Sequence, residues 1–126
     1  MRLLADSLQV KTASLYNHIK SMDELITAVC EYGLQLQKEM EMDAVKEQHG
    51  EQAVRILADT YRLFAKEHRQ LYWLIMNTAA KDHQSLIMLL FLLQIPLKKI
   101  FQDFHLQNKE LVHYRRLFRA IVHGFI

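Results

Sequence analysis

The stretch LADSLQVKTASLYNHIKSMDEL, residues 4–25, contains two brief apolar patterns at helical spacing. Leu4 and Leu8 are four positions apart in the first pattern, and Leu15 and Ile19 are four positions apart in the second. Residues with this spacing lie on one face of an α-helix. Because only a few residues separate the patterns, the sequence predicts two very short helices joined by a tight connection.

Polar residues mark where the helices begin. Thr12 is of a type that caps helix N-termini, so we expect it to cap a run that ends at His18. Ser21 is followed three positions later by Glu24, which is the capping-box pattern. Asp23 and Glu24 also suit the positive N-terminal end of a helix dipole. The sequence therefore predicts a long helix that begins directly after Ser21.

The composition as a whole favours helices over strands. The chain has 126 residues, the size of one ordinary domain or of a small module plus a larger one. Hydrophobic residues make up 51% and charged residues 24%, as in a globular protein. Helix formers such as Leu, Gln, Glu and Lys far outnumber Val, and there are 3 glycines and 1 proline. We therefore predict an all-α fold in which four or five longer helices follow the two short ones.

Periodicity and helix-breaking residues predict the bounds and buried faces of the longer helices. The first is expected to run toward His49 and stop at Gly50. An apolar helix with Asp82 as its cap is expected to end or kink at Pro96, and Asn108 is expected to cap the last helix. The residues expected to face inward are Leu25, Ile26, Val29, Tyr32 and Leu36, then Val54, Leu57, Ala58, Tyr61, Phe64 and Ala65, and finally Leu111, Val112, Leu117, Ile121 and Val122.

Several classes of protein are disfavoured by composition. Cys30 is the single cysteine, which excludes an internal disulfide and suits a reducing cytoplasm. No secretory signal pattern follows Met1, and the most apolar window, residues 86–97, is shorter than the ~20 residues of a membrane helix. Residues 1–22 hold three cations and one carboxylate, whereas residues 23–51 hold two lysines and eight carboxylates. We expect a cytoplasmic protein, with no membrane partner, whose N-terminal segment faces something anionic.

Two short helices separated by three or four residues match a helix-turn-helix unit. In that unit the second helix enters the DNA major groove. Asn17 can bind adenine through two hydrogen bonds, and hydroxyl side chains can bind a base edge or a phosphate. A plain helical corner with a solvated polar face is the other interpretation, and spacing alone leaves both open. The residues expected to contact DNA are Lys11, Thr12, Ala13, Ser14, Tyr16, Asn17, His18, Lys20 and Met22.

Residues 4–29, LADSLQVKTASLYNHIKSMDELITAV, closely resemble the DNA-binding module of the TetR family of bacterial transcriptional regulators. The segments TYRLFAKEHRQLYWLIM (60–76) and FRAIVHGF (118–125) resemble the ligand-binding domain of the branch whose last core helix carries a His-Gly pair. The resemblance implies a partial helix-turn-helix DNA-binding module, with the start of a connecting helix, in residues 1–34. It implies a helical effector-binding and dimerisation domain, incomplete at its C-terminus, in residues 35–126. It further implies a ligand-responsive repressor that binds operator DNA as a homodimer. The matching residues of the module are Leu4-Ala5, Leu8, Val10, Ser14-Leu15-Tyr16, His18, Lys20-Ser21 and Leu25.

Two positions depart from the usual family pattern. Gln9 stands where the family has glycine, so we expect a positive φ there at a cost of about 1 kcal/mol. Met22 stands where a basic residue often helps to hold a phosphate, which implies weaker and less salt-dependent DNA binding. 

The family also has a further helix before this module and continues beyond the His-Gly pair. We therefore expect Met1 to be an interior residue and the chain to be truncated at both ends. The alternative is a helical ligand-carrier or interaction protein that no longer binds DNA because its first helix is missing.

Aromatic and sulfur-containing residues in the second half suit an apolar effector cavity or, equally by spacing, a plain core. The resemblance favours the cavity, with Tyr61, Phe64, Trp73, Met76, Phe91 and His123 as the residues expected to bind the effector. His123, before Gly124, is also expected to pack at a close helix crossing. No pair of the seven histidines has the spacing of a helical metal site, and no catalytic triad or phosphate loop is evident. We therefore expect neither a metal, a cofactor nor enzymatic activity.

Overall fold

The computed structural model describes residues 1–79, 94–124 and 126. Within these residues all regular structure is helical, which confirms the predicted all-α fold. The helices are α1 (Arg2–Ser7), α2 (Thr12–His18), α3 (Met22–Val45), α4 (Gly50–Glu67), α5 (Arg69–Ala79), α6 (Gln94–Phe101) and α7 (Asn108–Gly124), with a 3-10 turn at Gln102–Phe104. The predicted apolar helix before Pro96, with its proposed cap Asp82, lies almost entirely outside the described residues, and Pro96 itself lies in α6.

The long helix α3 holds the short helices and the body of the protein on one continuous element. Its N-terminal half packs on α5, where Cys30, Leu34 and Ile75 form a buried cluster. Its C-terminal end packs on α4 and α6, where Val45 and Leu57 belong to a second buried cluster. The division at residues 34 and 35 that the resemblance implies therefore falls inside an unbroken helix.

The buried face of α3 differs from the predicted one. Val29 and Tyr32 were expected inside but are 36% and 66% exposed. The buried residues of α3 are Cys30, Gly33, Leu34, Gln37, Glu41 and Val45. They recur at helical spacing, but a small residue and two polar residues interrupt the apolar pattern. Leu25, Ile26 and Leu36, the other residues predicted to face inward, are half-buried.

Gly33 on this face has a packing role. A Cβ atom at this position would lie 2.7 Å from Leu71 Cδ1 and 2.9 Å from Ile75 Cδ1, both on α5. These distances are shorter than ordinary van der Waals contacts, so a side chain at this position would force Leu71 and Ile75 to shift. The close approach explains the glycine within a helix, where it is otherwise unfavourable.

The connection between α3 and α4 also differs from prediction. α3 ends at Val45 rather than near His49, and Gly50 is the first residue of α4 rather than the end of α3. Gly50 has φ 58°, in the left-handed region that favours glycine. Its amide donates to Asp103 Oδ2 at 3.1 Å, which attaches this turn to the segment after α6.

The last helix begins one residue earlier than predicted and exposes part of its apolar face. Asn108 is already helical, and the carbonyl of Gln107 accepts from the Leu111 amide at 2.8 Å. Val122 is buried as expected, but Leu117 and Ile121, also predicted to face inward, are 44% and 51% exposed.

Candidate nucleic-acid interface

The turn between α1 and α2 is a complete Schellman motif. The Gln9 amide donates to the Asp6 carbonyl at 3.2 Å, and the Val10 amide donates to the Ala5 carbonyl at 3.0 Å. This arrangement places the residue after the C-cap in the left-handed region, and Gln9 has φ 58°. The predicted positive φ at a non-glycine residue is therefore confirmed.

Helix α2 begins at Thr12 and ends at His18, which is the predicted end. Lys11 is extended and acts as the N-cap, and its carbonyl accepts from the amides of Ser14 and Leu15 at 3.0 and 3.3 Å. The prediction that Thr12 is the cap is wrong by one residue, because Thr12 already has helical geometry. No side-chain hydrogen bond caps this end, so α2 depends on its packing against α1.

Helix α2 is exposed on all sides except that of Leu15 and, in part, Thr12. Leu15 is 9% exposed and faces α1, where Ala5 is 1% exposed. Ser14 and Asn17 lie on the solvent side, and Tyr16 is 49% exposed. Of the other residues expected to contact DNA, Lys11, Ala13, His18, Lys20 and Met22 are exposed and Thr12 is half-buried. All of the residues expected to contact DNA are therefore exposed or half-buried.

The start of α3 is fixed by the predicted cap. Ser21 Oγ accepts from the Glu24 amide at 3.1 Å, so the predicted N-cap is confirmed. The Glu24 carboxylate reaches back, but it accepts from the amide of Lys20 rather than from that of Ser21. Asp23 and Glu24 therefore place two carboxylates beside the exposed end of α2.

A buried polar cluster, which the sequence pattern does not predict, lies in the body of the protein. Gln37 Nε2 donates to Glu41 Oε1 at 2.9 Å, and Gln37 Oε1 has no partner among the described residues. Burial raises the pKa of Glu41 to about 7, while the Gln37 hydrogen bond and the Arg119 charge oppose that rise. Acidic and amide residues usually mark a solvated helical face, so only the fold could identify this pair as buried.

Tyr61 and His123, two of the predicted effector-binding residues, lie beside this cluster. Tyr61 Oη lies 2.8 Å from His123 Nε2, and Tyr72 Oη hydrogen-bonds to His123 Nδ1. Burial and the Arg119 charge lower the pKa of His123, so its ring tends to stay neutral at pH 7. A neutral imidazole has one N–H donor and one acceptor nitrogen, so one tyrosine donates to the ring and the other accepts from it. His123 therefore links α7 to both α4 and α5.

The other predicted effector-binding residues do not converge on one cavity in the described structure. Phe64 is fully buried against His68, with 5.1 Å between ring centroids, and Met76 packs on the cluster around Ile75. Trp73 is 65% exposed, and Phe91 lies outside the described residues. The helix contact expected at the His-Gly pair is made by His123 itself, whereas a Cβ at Gly124 would meet nothing within 4 Å among the described residues.

Metal-binding groups and membrane-spanning helices are both absent from the described residues. No group of three or more His, Cys, Asp or Glu side chains in this part of the chain could hold a metal ion. None of the helices it forms is long and apolar enough to cross a membrane.

Comparison with known proteins gives one informative likeness. The chain is 26% identical over 122 residues to YobS of Bacillus subtilis (strain 168), an uncharacterized HTH-type transcriptional regulator. The match covers 97% of this chain and 63% of YobS, so the chain spans less than two thirds of that relative's length. No protein-family model matches the chain. The likeness supports a transcription regulator rather than an enzyme, and it does not single out the TetR family.

Proposed function

We propose that this protein is a DNA-binding transcriptional regulator that reads operator DNA through residues 11–22. The observation that carries the proposal is the geometry of α2, whose polar side faces solvent while Leu15 is buried against α1. The likeness to an HTH-type regulator extends over 122 of the 126 residues and therefore includes this unit.

The dimensions of α2 suit a major groove. Its 7 residues span about 10 Å, and the major groove of B-DNA is about 12 Å wide. In this position Asn17 would bind a base edge, and Ser14 would bind a base or a phosphate. Lys11, Lys20 and Tyr16 stand at the ends and side of the helix, where they would fix its register through phosphates.

Electrostatics predict modest phosphate attraction. Helix α3 offers the positive end of its dipole beside α2, but Asp23 and Glu24 occupy its first turn. Met22, at the first position of α3, adds no charge. Binding would therefore depend mainly on Lys11 and Lys20, and its salt dependence would be shallow because few phosphates are neutralised.

We further propose a TetR-type mechanism in which the body of the protein binds an effector and forms a homodimer. The exposed apolar residues Tyr114, Leu117 and Ile121 are three and four positions apart on α7 and form a stripe suited to a second copy. A homodimer would place two α2 helices about 34 Å apart, in successive major grooves. An effector that binds better to a different spacing would release the operator, as expected of a repressor.

A gel-shift titration with the region upstream of the gene tests DNA reading. Asn17→Ala is expected to weaken specific binding by about 1–3 kcal/mol and to leave binding to unrelated DNA unchanged. Asn77→Ala on α5 is the matched control, because it makes the same chemical change outside residues 11–22. The proposal fails if the intact protein binds its upstream region no better than unrelated DNA, or if the two variants behave alike.

A second candidate function is a helical ligand carrier or interaction protein without DNA binding. It is favoured by the apolar residues that the helix-turn-helix unit leaves exposed, since Leu3, Leu8 and Val10 are 84%, 56% and 44% exposed. The reading frame upstream of Met1 distinguishes the two. An in-frame helix-coding stretch that improves operator binding supports the regulator, whereas a ribosome-binding site directly before Met1 supports the carrier.

A further inference from the structure

An open groove of about 650 Å³ lies between α4 and α5. Arg62 and Lys66 line it from α4, and Arg69 and Trp73 line it from α5. Asp59 contributes a carboxylate, and Ile126 also lines the groove. No ion pair in the described part of the chain involves these three cations. The groove therefore has the volume of a small-molecule site and a net positive lining.

The lining combines two kinds of recognition. The Trp73 side chain is 65% exposed and offers a flat apolar surface on which a planar ring can stack. Arg62 and Arg69 offer the planar, forked donors that bind a carboxylate through two parallel hydrogen bonds. An apolar partner helix seated here would bury three cations without partners, which is strongly unfavourable. A planar anion can both stack on the Trp73 ring and form ion pairs with the arginine side chains.

We propose that this groove binds an aromatic carboxylate, with its ring against Trp73 and its carboxylate between Arg62 and Arg69. Tyr72 also lines the groove, and its hydroxyl bonds to the His123 ring on α7. A ligand that shifts Tyr72 therefore changes the link between α5 and α7. This regulatory role rests on the proposed function, whereas the binding site itself does not.

Trp73 makes the binding step directly measurable. It is the single tryptophan of the chain, so intrinsic fluorescence reports on the groove. Sodium benzoate is expected to change the emission saturably, and benzamide, its uncharged counterpart, is expected to bind at least ~tenfold more weakly. Arg69→Gln is expected to weaken benzoate binding ~tenfold, whereas Arg116→Gln, an exposed control on α7, is expected to have no effect. Equal binding of benzoate and benzamide, equal behaviour of the two variants, or no saturable change would overturn the proposal.

The regulatory step needs a second readout. Benzoate at a concentration that saturates the Trp73 emission is expected to weaken operator binding in a gel shift, and Tyr72→Phe is expected to reduce that response. If the protein binds no operator, the proposed function fails, but the fluorescence titration still shows whether the groove binds benzoate. If it binds operator but benzoate leaves Trp73 unaffected, the groove assignment fails alone. An unchanged response in Tyr72→Phe would refute the link through His123.

Discussion

Glu41→Gln is expected to stabilise the protein by about 3 kcal/mol near pH 8 and to change its stability little near pH 4. Burial raises the pKa of Glu41 from 4.5 to about 7, and each tenfold change in proton affinity corresponds to ~1.4 kcal/mol. The folded protein therefore holds the Glu41 proton more tightly than the unfolded chain does. The contribution of Glu41 to the free energy of unfolding is fully present below about pH 4.5 and is lost as the pH rises through about 7. Glutamine has nearly the same shape, still accepts from Gln37 and cannot ionise.

The sequence supplies a matched control two residues away. Gln35 Nε2 donates to Glu39 Oε1 at 3.0 Å, which repeats the Gln37–Glu41 pair at the same spacing on the exposed side of α3. Glu39→Gln makes the same chemical change in water and is expected to leave the pH dependence of stability unchanged. His123, whose pKa is lowered by burial, acts in the opposite direction by favouring the folded state as the pH rises. Since both variants retain His123, the difference from the unmodified protein isolates Glu41.

Urea unfolding, followed by circular dichroism at a series of pH values, measures the effect. The free energy of unfolding of Glu41→Gln minus that of the unmodified protein should grow between about pH 4.5 and 7 and level off by about pH 8. Parallel curves for these two proteins would refute the reasoning. So would a Glu39→Gln protein that reproduces the Glu41→Gln curve, because burial would then not be the cause.

Three further substitutions test local structure by urea or thermal unfolding. Gln9→Gly is expected to stabilise the protein by about 0.5–1 kcal/mol, because it removes left-handed strain, whereas Gln9→Ala should not stabilise it; equal effects would contradict the strain argument. Ser21→Ala is expected to destabilise it by about 1 kcal/mol through loss of the cap on α3, and an unchanged melting temperature would show that this cap is dispensable. Gly33→Ala is expected to be less stable than Gly124→Ala by about 1–3 kcal/mol, because the new methyl group meets Leu71 at position 33 and meets nothing within 4 Å among the described residues at position 124. A harmless Gly33→Ala would show that α3 and α5 separate easily.

Features set by a few neighbouring residues were predictable from the sequence. The Ser21 cap depends on side chains within four positions, and the short helices α1 and α2 follow from apolar pairs four positions apart. The left-handed Gln9 followed from the family resemblance, which indicates a turn that usually requires glycine. In each case the residues that determine the conformation are the residues that adopt it.

Features set by distant partners were not predictable. Tyr32 has the spacing of a core residue but is exposed, whereas Glu41 is buried because α4 and α7 bring Tyr61 and Arg119 near it. Tyr61 and His123 are 62 positions apart, and no local pattern relates them. Periodicity identifies a helix with more certainty than it identifies which face meets a neighbour. The exposure of Trp73 likewise depends on how α5 is placed against α3 and α4.

The length of α3 gives it mechanical leverage. Its 24 residues form a rod about 36 Å long that packs on α4 and α6 near Val45 and on α5 near Cys30, and the two short helices precede its end at Met22. A tilt of only about 5° of α3 together with α5, about the end near Val45, would displace the end at Met22 by about 3 Å, the length of a hydrogen bond. Subtle repacking around Val45 is therefore amplified along the rod, and two such rods in a dimer would double the change in separation between their tips.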